Sequence, residues 1–437
     1  MGRGWGRPGH PTGGPARAEL LRRSNLALVL GEIAAGGRGA RAQLAERTGL
    51  TKATVSSLAD TLIATGLVVE CDPDRGLVGR PGNPLRLAST GPVGLGIEIN
   101  VDYVSACIVD LAGEVRSFAA LPGDNRTVAP GDVLERAARL ADSLLASPAM
   151  SSRPVAGLHV ALPGLVDVDG VLRRAPNLRW LEGLEVAARV GEIISARSAR
   201  PLGAVGAGNE ANLAALAELW FGDSTDLDTF VRVSGEIGVG AGIVIRGALW
   251  GGAAGLAGEI GHVLVDAGGP RCTCGARGCL EQVAGQEAVL AAAGIDTARQ
   301  PSTDPVRALL ASAAAGDRAT RAALDRAGSA LGVALAGVVN VVDLPTVVLG
   351  GVYAEVATWL LPALARELAD RVVSYSWAPT GVAVSRLGAR AAVRGAAGLA
   401  IRAVLEDPGS WPSGPSRVRT RRPQARATGT DRSAGPT

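Results

Sequence analysis

Apolar residues recur at helical spacing near the start of the chain and predict three short helices. The first is expected to begin at Ser24, whose side chain would cap it. A second is predicted over 41–49, ending at Gly49, and Thr51 is expected to cap a third over 52–63. Two helices joined by a tight turn that contains glycine form a helix-turn-helix, a fold that binds DNA.

The third helix divides into a buried stripe and an exposed N-terminal end. Its apolar positions are Val55, Leu58 and Leu62. The exposed end would enter the major groove, where Ser, Thr and Lys side chains contact phosphates and base edges. The predicted DNA contacts on this helix are Lys52, Thr54, Ser56 and Ser57.

Two short extended segments follow the third helix and predict a wing. They lie at 67–70 and 79–87, on either side of a turn rich in Asp, Pro and Gly. Arg80 stands between Gly79 and Pro81, so a thin extended backbone could carry its charge into a narrow minor groove. Residues 20–88 are therefore predicted to form a winged helix-turn-helix (α+β) that binds DNA. The alternative is a small module that only docks on the rest of the protein.

Beyond residue 90, buried strands alternate with helices, which predicts two α/β lobes with a cleft between them. His159 lies in one of the apolar strands and is expected to be a core histidine with its hydrogen bonds satisfied. The predicted strands are 93–100, 106–111, 155–162, 230–233 and 241–245, and the predicted helices include 132–146 and 211–220.

Composition indicates a globular chain with no role in a membrane. Hydrophobic residues make up 47% of the 437, enough to bury substantial cores. The most apolar stretch, 330–342, is short for a span and is expected to be a buried helix leading into a strand. Residues 1–19 contain Gly, Pro and Arg without an apolar run, so we expect a disordered leader and a cytoplasmic protein.

Charge is distributed unevenly along the chain. Residues 1–90 hold twelve Lys and Arg against seven Asp and Glu, whereas residues 407–437 hold six Arg against two Asp. Because the whole chain carries only +3, the part between them is acidic. A basic front could meet a polyanion while the acidic body performs another task. The tail over 407–437 is predicted to be disordered and basic.

One histidine and three cysteines predict a metal site between residues 258 and 281. The four ligands form a Cys₃His set, which fills all four positions of a structural zinc ion and leaves none for a reactive water. The alternative is a disulfide or a group of buried thiols. Glu259 and Glu281 flank this zinc loop, and carboxylates held there are well placed to bind the hydroxyls of a sugar. The predicted ligands are His262, Cys272, Cys274 and Cys279.

Several motifs together resemble the signature of the ROK family, named for repressors, open reading frames and kinases. The resemblance covers residues 91–405 and implies a two-lobed α/β domain of the actin/hexokinase-like type with a sugar pocket beside a structural zinc. The winged helix in front of it resembles the repressor branch of the family. The matching segments are 163–167, 175–180, 209–212, 258–262, 272–281 and 348–351.

The resemblance also implies which residues contact the sugar. Amides of Asn donate and accept hydrogen bonds, carboxylates accept from hydroxyls, and His262 could bind zinc through one nitrogen and the ligand through the other. For Asn177, a role as a turn residue after Pro176 is an equal alternative. The implied contacts are Asn177, Asn209, Glu210, Glu259, His262 and Glu281.

The chain departs from the family's kinases at both phosphate-binding loops. Residues 98–102 read Glu-Ile-Asn-Val-Asp where kinases of the family have Asp-x-Gly-Gly-Thr, so the glycines that let backbone amides approach phosphate are missing. In the second phosphate-binding loop, Glu236 stands where the kinases have a residue whose hydroxyl group binds phosphate. Glu210 stands where the kinases have an Asp as general base, and one extra methylene displaces that carboxylate. We therefore expect the chain to bind a sugar without phosphorylating it.

The prediction as a whole is a sugar-responsive transcriptional regulator, most simply a repressor, that binds a two-fold operator as a homodimer or homotetramer. The alternative from another class is an ATP-dependent sugar kinase of the ROK family with an appended DNA-binding domain. A zinc-dependent hydrolase is a third possibility, which an open coordination position would favour.

Overall fold

The computed structural model describes the two lobes, the winged helix and the junction between them. It covers residues 15–36, 39–71, 83–198, 200–223, 227–295 and 304–411. Arg80, the residue predicted to enter the minor groove, lies outside these ranges.

The N-terminal domain is a winged helix, as the sequence predicts. Gly49 ends the second helix in the left-handed conformation with φ 70°, and the Thr51 hydroxyl accepts a hydrogen bond from the Thr54 amide at 3.2 Å. The two strands pair antiparallel and form the base of the wing. The elements are α1 Pro15–Gly36, α2 Arg41–Thr48, α3 Lys52–Ala64, β1 Val68–Glu70 and β2 Leu85–Leu87.

The first helix differs from its prediction. It begins at Pro15, so Ser24 lies inside the helix and does not cap it, and residues 15–19 are not part of a disordered leader. Proline is favoured in the first turn of a helix, and the residues that follow Pro15 include several good helix formers, Ala, Leu and Arg. The added N-terminal part of the helix includes Arg23, whose side chain contacts Asp407 near the end of the described chain.

The first lobe is built on a five-stranded sheet in the order β5-β4-β3-β6-β9. Strands β3, β4 and β5 pair antiparallel, whereas β6 and β9 run parallel to β3. A hairpin of β7 and β8 follows β6. The elements are β3 Val93–Ile99, β4 Tyr103–Asp110, β5 Val115–Pro122, α4 Pro130–Leu145, β6 Val155–Leu162, β7 Leu165–Val166, β8 Leu172–Arg174, α5 Val186–Ser198, β9 Leu202–Asn209 and α6 Glu210–Phe221.

The second lobe repeats this strand pattern in the order β12-β11-β10-β13-β14. Strands β10, β11 and β12 are antiparallel, and β13 and β14 run parallel to β10. The two-lobed α/β architecture expected from the sequence is thereby confirmed. The elements are β10 Phe230–Gly235, β11 Val239–Ile245, β12 Ala248–Leu249, α7 Glu281–Ala284, α8 Gln286–Ala292, α9 Pro305–Ala314, α10 Arg318–Val342, β13 Thr346–Gly351, α11 Val352–Glu355, α12 Ala357–Arg371, β14 Gly381–Val384 and α13 Ala391–Glu406.

Helix α10 is long and apolar enough to cross a membrane by length and composition. It packs along α12, and 61% of its most apolar window is buried inside the protein. Its inner face belongs to the core of the second lobe, together with Leu331, Leu335 and the α12 residue Leu360. The predicted buried helix leading into a strand is confirmed, because β13 follows α10 directly.

His159 differs from its prediction as a satisfied core residue. It lies on β6 and is half-buried, and its Nδ1 atom is buried without a hydrogen-bond partner among the described residues. Burial lowers the pKa of this imidazole. Gly206 on the neighbouring strand lies against the Nε2 atom of His159. A Cβ atom at position 206 would come within 2.9 Å of that nitrogen, so a residue larger than glycine would crowd the ring.

Helix α13 packs without intervening side chains on the first-lobe sheet and on α6. A Cβ atom at Gly96 of β3 would overlap the carbonyl oxygen of Val393, and one at Gly395 of α13 would overlap the carbonyl oxygen of Leu213 on α6. Only glycine permits backbones to approach this closely. The packing therefore fixes the position of α13 relative to both the sheet and α6.

The C-terminal half of α13 also holds the winged helix. Ile401 and Val404 share one apolar core with Leu26 and Leu30 of α1. The Arg23 Nε atom donates to an Asp407 carboxylate oxygen at 3.1 Å and extends this contact. Trp411 packs against the same core. Residues 407–411 are therefore ordered against α1, in contrast to the disordered tail predicted from residue 407.

We predict that Gly395→Ala destabilises the protein by roughly 1–3 kcal/mol, because the added methyl group must displace the backbone of α6. The measurement is urea unfolding followed by circular dichroism. The matched control is Gly337→Ala in α10, where an added Cβ would meet no atom within 4 Å. A helix glycine in open space gains about 1 kcal/mol on becoming alanine. Equal effects of the two substitutions would contradict the proposed close packing.

Candidate metal centre and ligand cleft

The four predicted zinc ligands lie together in the structure. Their ligand atoms are all within 4.8 Å of one another. Sγ of Cys274 and Sγ of Cys279 are 3.7 Å apart, and Sγ of Cys272 lies 3.7 Å from Nδ1 of His262. Thiolates bound to a tetrahedral zinc at about 2.3 Å would be separated by about 3.8 Å. The donor set and its spacing therefore fit a tetrahedral ion, and the cysteines are free thiols rather than a disulfide.

The chain reaches this arrangement through a short loop stabilised by backbone contacts. Isolated bridges pair Leu264 with Cys279 and Arg271 with Arg277. Gly278 has φ 67°, and a Cβ there would overlap the carbonyl oxygen of Asp266. Glycine is needed at this position because the left-handed conformation and the close approach both exclude a side chain. These four side chains could fill all four positions of a tetrahedral ion, an arrangement typical of structural rather than hydrolytic zinc.

His262 connects the metal cluster to a neighbouring cavity. The short 3-10 helix Ile260–His262 directs Nδ1 toward Cys272, while Nε2 lies 4.0 Å from a carboxylate oxygen of Glu259. A second interaction of this kind is common for metal-binding histidines, because it fixes the orientation of the ring. The loop therefore places Glu259 and His262 side by side in the lining of this cavity.

The cavity lies between the lobes and has a volume of about 930 Å³ including its open mouth. Its lining includes backbone from both lobes, among them Pro163 and Gly164 after β6 and Gly238 to Gly240 at the start of β11. The structure brings together all six residues that the resemblance implied for the sugar: Asn177, Asn209, Glu210, Glu259, His262 and Glu281.

Two of the implied residues also have structural roles. Asn209 caps α6, because its Oδ1 accepts from the Asn212 amide at 3.0 Å while its Nδ2 donates to the Gly164 carbonyl at 2.9 Å. Asn177 is an exposed turn residue after Pro176 and also lines the cavity. The turn interpretation and the ligand interpretation are therefore compatible for this residue.

Three carboxylates occupy the inner end of the cleft. Glu98 and Glu210 belong to the first lobe and Glu236 to the second. They line a smaller cavity that also contains Arg232 and the N-terminal residues of α13. The Asn100 side-chain amide donates to Glu236 at 3.2 Å and to Glu210 at 3.4 Å, so it forms a direct hydrogen bond between the lobes.

Burial and mutual repulsion hold these carboxyl groups close to neutrality. Burial, followed by the charge of Glu236, raises the pKa of Glu98 to about 8, although the Tyr103 hydroxyl donates to it at 2.6 Å. Burial, followed by the charge of Asp102, raises the pKa of Glu236 to about 7. The pKa of Glu210 is raised well above its ordinary value for the same reasons. Once ionised, these three carboxyl groups would repel a charged phosphate chain, although Arg232 lies in the same cavity.

Part of this site was not predicted from the sequence. Of the two carboxylates in the first phosphate loop, Asp102 is exposed and lines neither cavity, whereas Glu98 lines the smaller one. Arg174 was also missed, although it lines the larger cavity. Its signal in the sequence is weak, because consecutive arginines are common on protein surfaces.

The recognition helix α3 presents the residues predicted to contact DNA. Lys52 and Ser57 are exposed, while Thr54 and Ser56 are half-buried. Part of the basic charge of this domain is already neutralised. Arg41 pairs with Glu70 at 2.5 Å and with Asp60 at 3.1 Å. Lys52 is therefore a more available cation at this surface than Arg41.

Comparison with known proteins covers both parts of the chain. The ROK family model matches residues 94–403, and the MarR family model matches residues 27–76. A putative xylose repressor from Caldicellulosiruptor sp. (strain Rt8B.4) is 30% identical over 89% of this chain and 98% of its own length. An N-acetylglucosamine repressor from Escherichia coli O157:H7 is 28% identical over 89% of this chain and 94% of its own length.

Solved structures agree in architecture. A ROK family transcriptional regulator, a homologue of the E. coli MLC protein, matches with a TM-score of 0.72 and 26% identity over 89% of this chain and 97% of that chain. A ROK family glucokinase from Streptomyces griseus, solved with glucose and AMPPNP, matches with a TM-score of 0.59 and 23% identity. It covers 71% of this chain and 99% of its own, and shows a shared fold.

We predict that Cys274→Ser lowers the amount of zinc bound to the purified protein from about one ion per chain to well below one, because a hydroxyl is a much poorer ligand than a thiolate. Elemental analysis by mass spectrometry measures this directly. Cys71→Ser is the matched control, since Cys71 lies in the winged helix and outside the cluster. Unchanged zinc content in the Cys274 variant would contradict the assignment.

We also predict that stability falls as pH rises between about 5 and 8. At pH values between the ordinary pKa of 4.5 and the raised pKa of the folded state, such a carboxyl group keeps a proton in the folded protein. The unfolded chain has already released that proton. Its stabilising contribution is complete below that value and is lost as pH rises through the folded pKa, with a slope of up to about 1.4 kcal/mol per pH unit for each proton.

Glu98→Gln should flatten this pH dependence, because a glutamine side chain cannot ionise. Urea unfolding at several pH values between 5 and 8.5 measures the effect. Glu46→Gln, at an exposed position on α2, serves as the control. A profile of the Glu98 variant parallel to that of the wild type would show that this carboxyl group does not titrate in the window.

Proposed function

Because the chain belongs to the ROK family, we propose that it is a sugar-responsive transcriptional repressor. In this proposal the winged helix binds operator DNA and the cleft braced by zinc binds a carbohydrate effector. One observation carries this proposal. The N-terminal end of helix α13 lines the acidic end of the cleft, and the C-terminal end of the same helix packs against the winged helix.

The chemistry of the cleft favours a polyol. Its lining combines amides, carboxylates and an imidazole, which together accept and donate several hydrogen bonds. Residues on both lobes contribute, so a bound sugar would favour a particular degree of lobe closure. The proposed contacts are Asn177, Asn209, Glu210, Glu259, His262 and Glu281.

Zinc would have a structural role in this site. It would be held by His262, Cys272, Cys274 and Cys279, and it would supply a rigid anchor for the loop. Because His262 and Glu259 are neighbours, the orientation of the imidazole sets the position of the carboxylate that accepts from the sugar.

A continuous packed path supports communication between effector and DNA. Asn209 caps α6, α6 packs on α13, and α13 shares its apolar core with α1. A shift of the first lobe against the second would therefore move the winged helix with it. For this to count as allostery, the sugar must bind the two arrangements unequally, and a tenfold change in DNA affinity requires about 1.4 kcal/mol of such coupling.

The DNA contacts are proposed on the exposed end of α3 and on the wing. Lys52, Thr54, Ser56 and Ser57 would meet the major groove, and Arg80 the minor groove. A homodimer or homotetramer would place two winged helices on a two-fold operator, as helix-turn-helix proteins do.

Sugar phosphorylation is the less favoured alternative. A phosphate donor would have to enter beside Glu98, Glu210 and Glu236, and three carboxyl groups at this point oppose the binding of another anion. We therefore propose that the chain senses a sugar without acting as its kinase. Turnover of about 1–100 s⁻¹ in an assay of ADP release would be typical of a kinase and would contradict this.

We predict that DNA binding and sugar binding can be removed independently. Lys52→Ala should weaken binding of the protein to DNA, because it removes an exposed cation from the recognition helix. Glu259→Gln should weaken sugar binding by roughly tenfold or more, because a neutral amide accepts a weaker hydrogen bond. The DNA is a sequence selected by the wild-type protein from a random pool, and fluorescence anisotropy measures its binding.

Sugar binding is measured by thermal shift across xylose, glucose, N-acetylglucosamine and their phosphates. The Lys52 variant should keep its sugar-dependent stabilisation, and the Glu259 variant should keep its DNA affinity in the absence of sugar. Effector-dependent release of DNA in the wild type completes the expected pattern. If the protein binds DNA but none of these carbohydrates stabilises it, the proposal that the cleft binds a carbohydrate effector is contradicted.

A further inference from the structure

The strand β8 carries two consecutive arginines in different circumstances. Arg173 is engaged, because its Nε donates to an Asp167 carboxylate oxygen at 2.5 Å. The Arg174 side chain makes no hydrogen bond or ion pair with any residue in the described part of the chain, although its backbone pairs with Leu165 in the hairpin, and it lines the cleft. Successive side chains of a strand point to opposite faces, which explains why one arginine is paired on the lobe and the other faces the cavity.

The carboxylates that line the cleft have neighbours other than Arg174. Asn100 donates to Glu210 and Glu236, His262 lies beside Glu259, and Glu281 accepts from the backbone of Val239. Arg174 is therefore the single cationic side chain that lines the larger cavity among the described residues, and it is left unpaired. Cys274 of the metal loop lines the same cavity as Arg174.

The cavity that Arg174 lines has room for more than the contacts of a sugar ring, because its volume of about 930 Å³ includes an open mouth. A sugar ring bound by the inner carboxylates would leave space for a substituent at the mouth. An arginine with no partner of its own would hold a phosphate or carboxylate group there through charge-assisted hydrogen bonds. The planar guanidinium is suited to this role because it can donate two parallel hydrogen bonds to such a group.

We infer that Arg174 selects for a sugar that carries an anionic substituent. The hydroxyls of the ring would bind inward, near Glu259 and Glu281, and the anionic group would point outward to the Arg174 guanidinium. This inference rests on the proposed function of the cleft and specifies the class of its effector. When ionised, the inner carboxyl groups would repel an anion at that end of the cavity, so the charge of the ligand would also determine its orientation.

The experiment compares neutral sugars with their anionic counterparts in the full-length protein. Isothermal titration calorimetry measures the dissociation constants of glucose, glucose 1-phosphate, glucose 6-phosphate and glucuronate, and of N-acetylglucosamine and its 6-phosphate. Each is measured on the wild type, on Arg174→Ala and on the matched control Arg173→Ala. The phosphates and the uronate distinguish the two anionic groups.

The wild type is expected to bind an anionic sugar at least about tenfold more tightly than its neutral counterpart, the usual effect of a charged hydrogen bond. Arg174→Ala should abolish or reverse this preference, because it removes the one cationic side chain among the described residues of the lining. Arg173→Ala should preserve it. Arg174→Lys should restore part of it, since the ammonium keeps the charge but not the fork of donors.

Other outcomes separate this inference from the function on which it rests. If neutral sugars bind, release DNA and show the same affinity in the wild type and Arg174→Ala, Arg174 selects nothing and the regulator proposal stands. An anionic preference that survives in Arg174→Ala likewise overturns the role of this residue. If no carbohydrate binds to any variant, the effector cleft itself is wrong.

Discussion

The close packing of α13 is the constraint on which the arrangement of this protein depends. Glycines on both sides of the contact bring the backbone of α13 against β3 and against α6, so that a single methyl group would force one of them to move. The helix has 16 residues and is about 24 Å long. Its first turn borders three carboxyl groups and its last turn borders the winged helix. A contact of this kind transmits displacement because it has no side chains that could absorb it by changing rotamer.

The metal loop and the cleft illustrate what can be predicted from sequence. The zinc ligands lie within eighteen residues of one another, and their chemistry is encoded in residue type and spacing, so they could be identified directly. The cleft is formed by segments that are far apart in the chain. Its six implied residues could be named only because several motifs resembled one family, and the structure then brought them to one cavity. Their roles toward a sugar stay predictions.

The differences from prediction have particular physical causes. Ser24 has the residue type of a cap, but the helix formers before it let α1 begin at Pro15. The hydrogen bond between Asn100 and Glu236 joins two lobes, and no periodicity in the sequence encodes a contact between residues so distant in the chain. The same holds for Asp407 and Trp411, whose composition suggests a solvated tail and whose contacts with α1 depend on the course of α13. Local patterns determine elements, whereas long-range contacts determine which of their exposed residues become buried.

The acidic end of the cleft also bears on how easily this protein could change its chemistry. Asn100, Tyr103 and Arg232 all interact with the carboxyl groups of Glu98, Glu210 and Glu236. Replacing Asn100 by the glycine, or Glu236 by the hydroxyl residue, of a phosphate loop would remove the hydrogen bond between the lobes while other carboxyl groups still border the site. Each single step back toward phosphate binding therefore costs stability before it restores any affinity. In evolutionary terms, a return to phosphate binding requires several substitutions at once, because the neighbours of the carboxyl groups have become adapted to them.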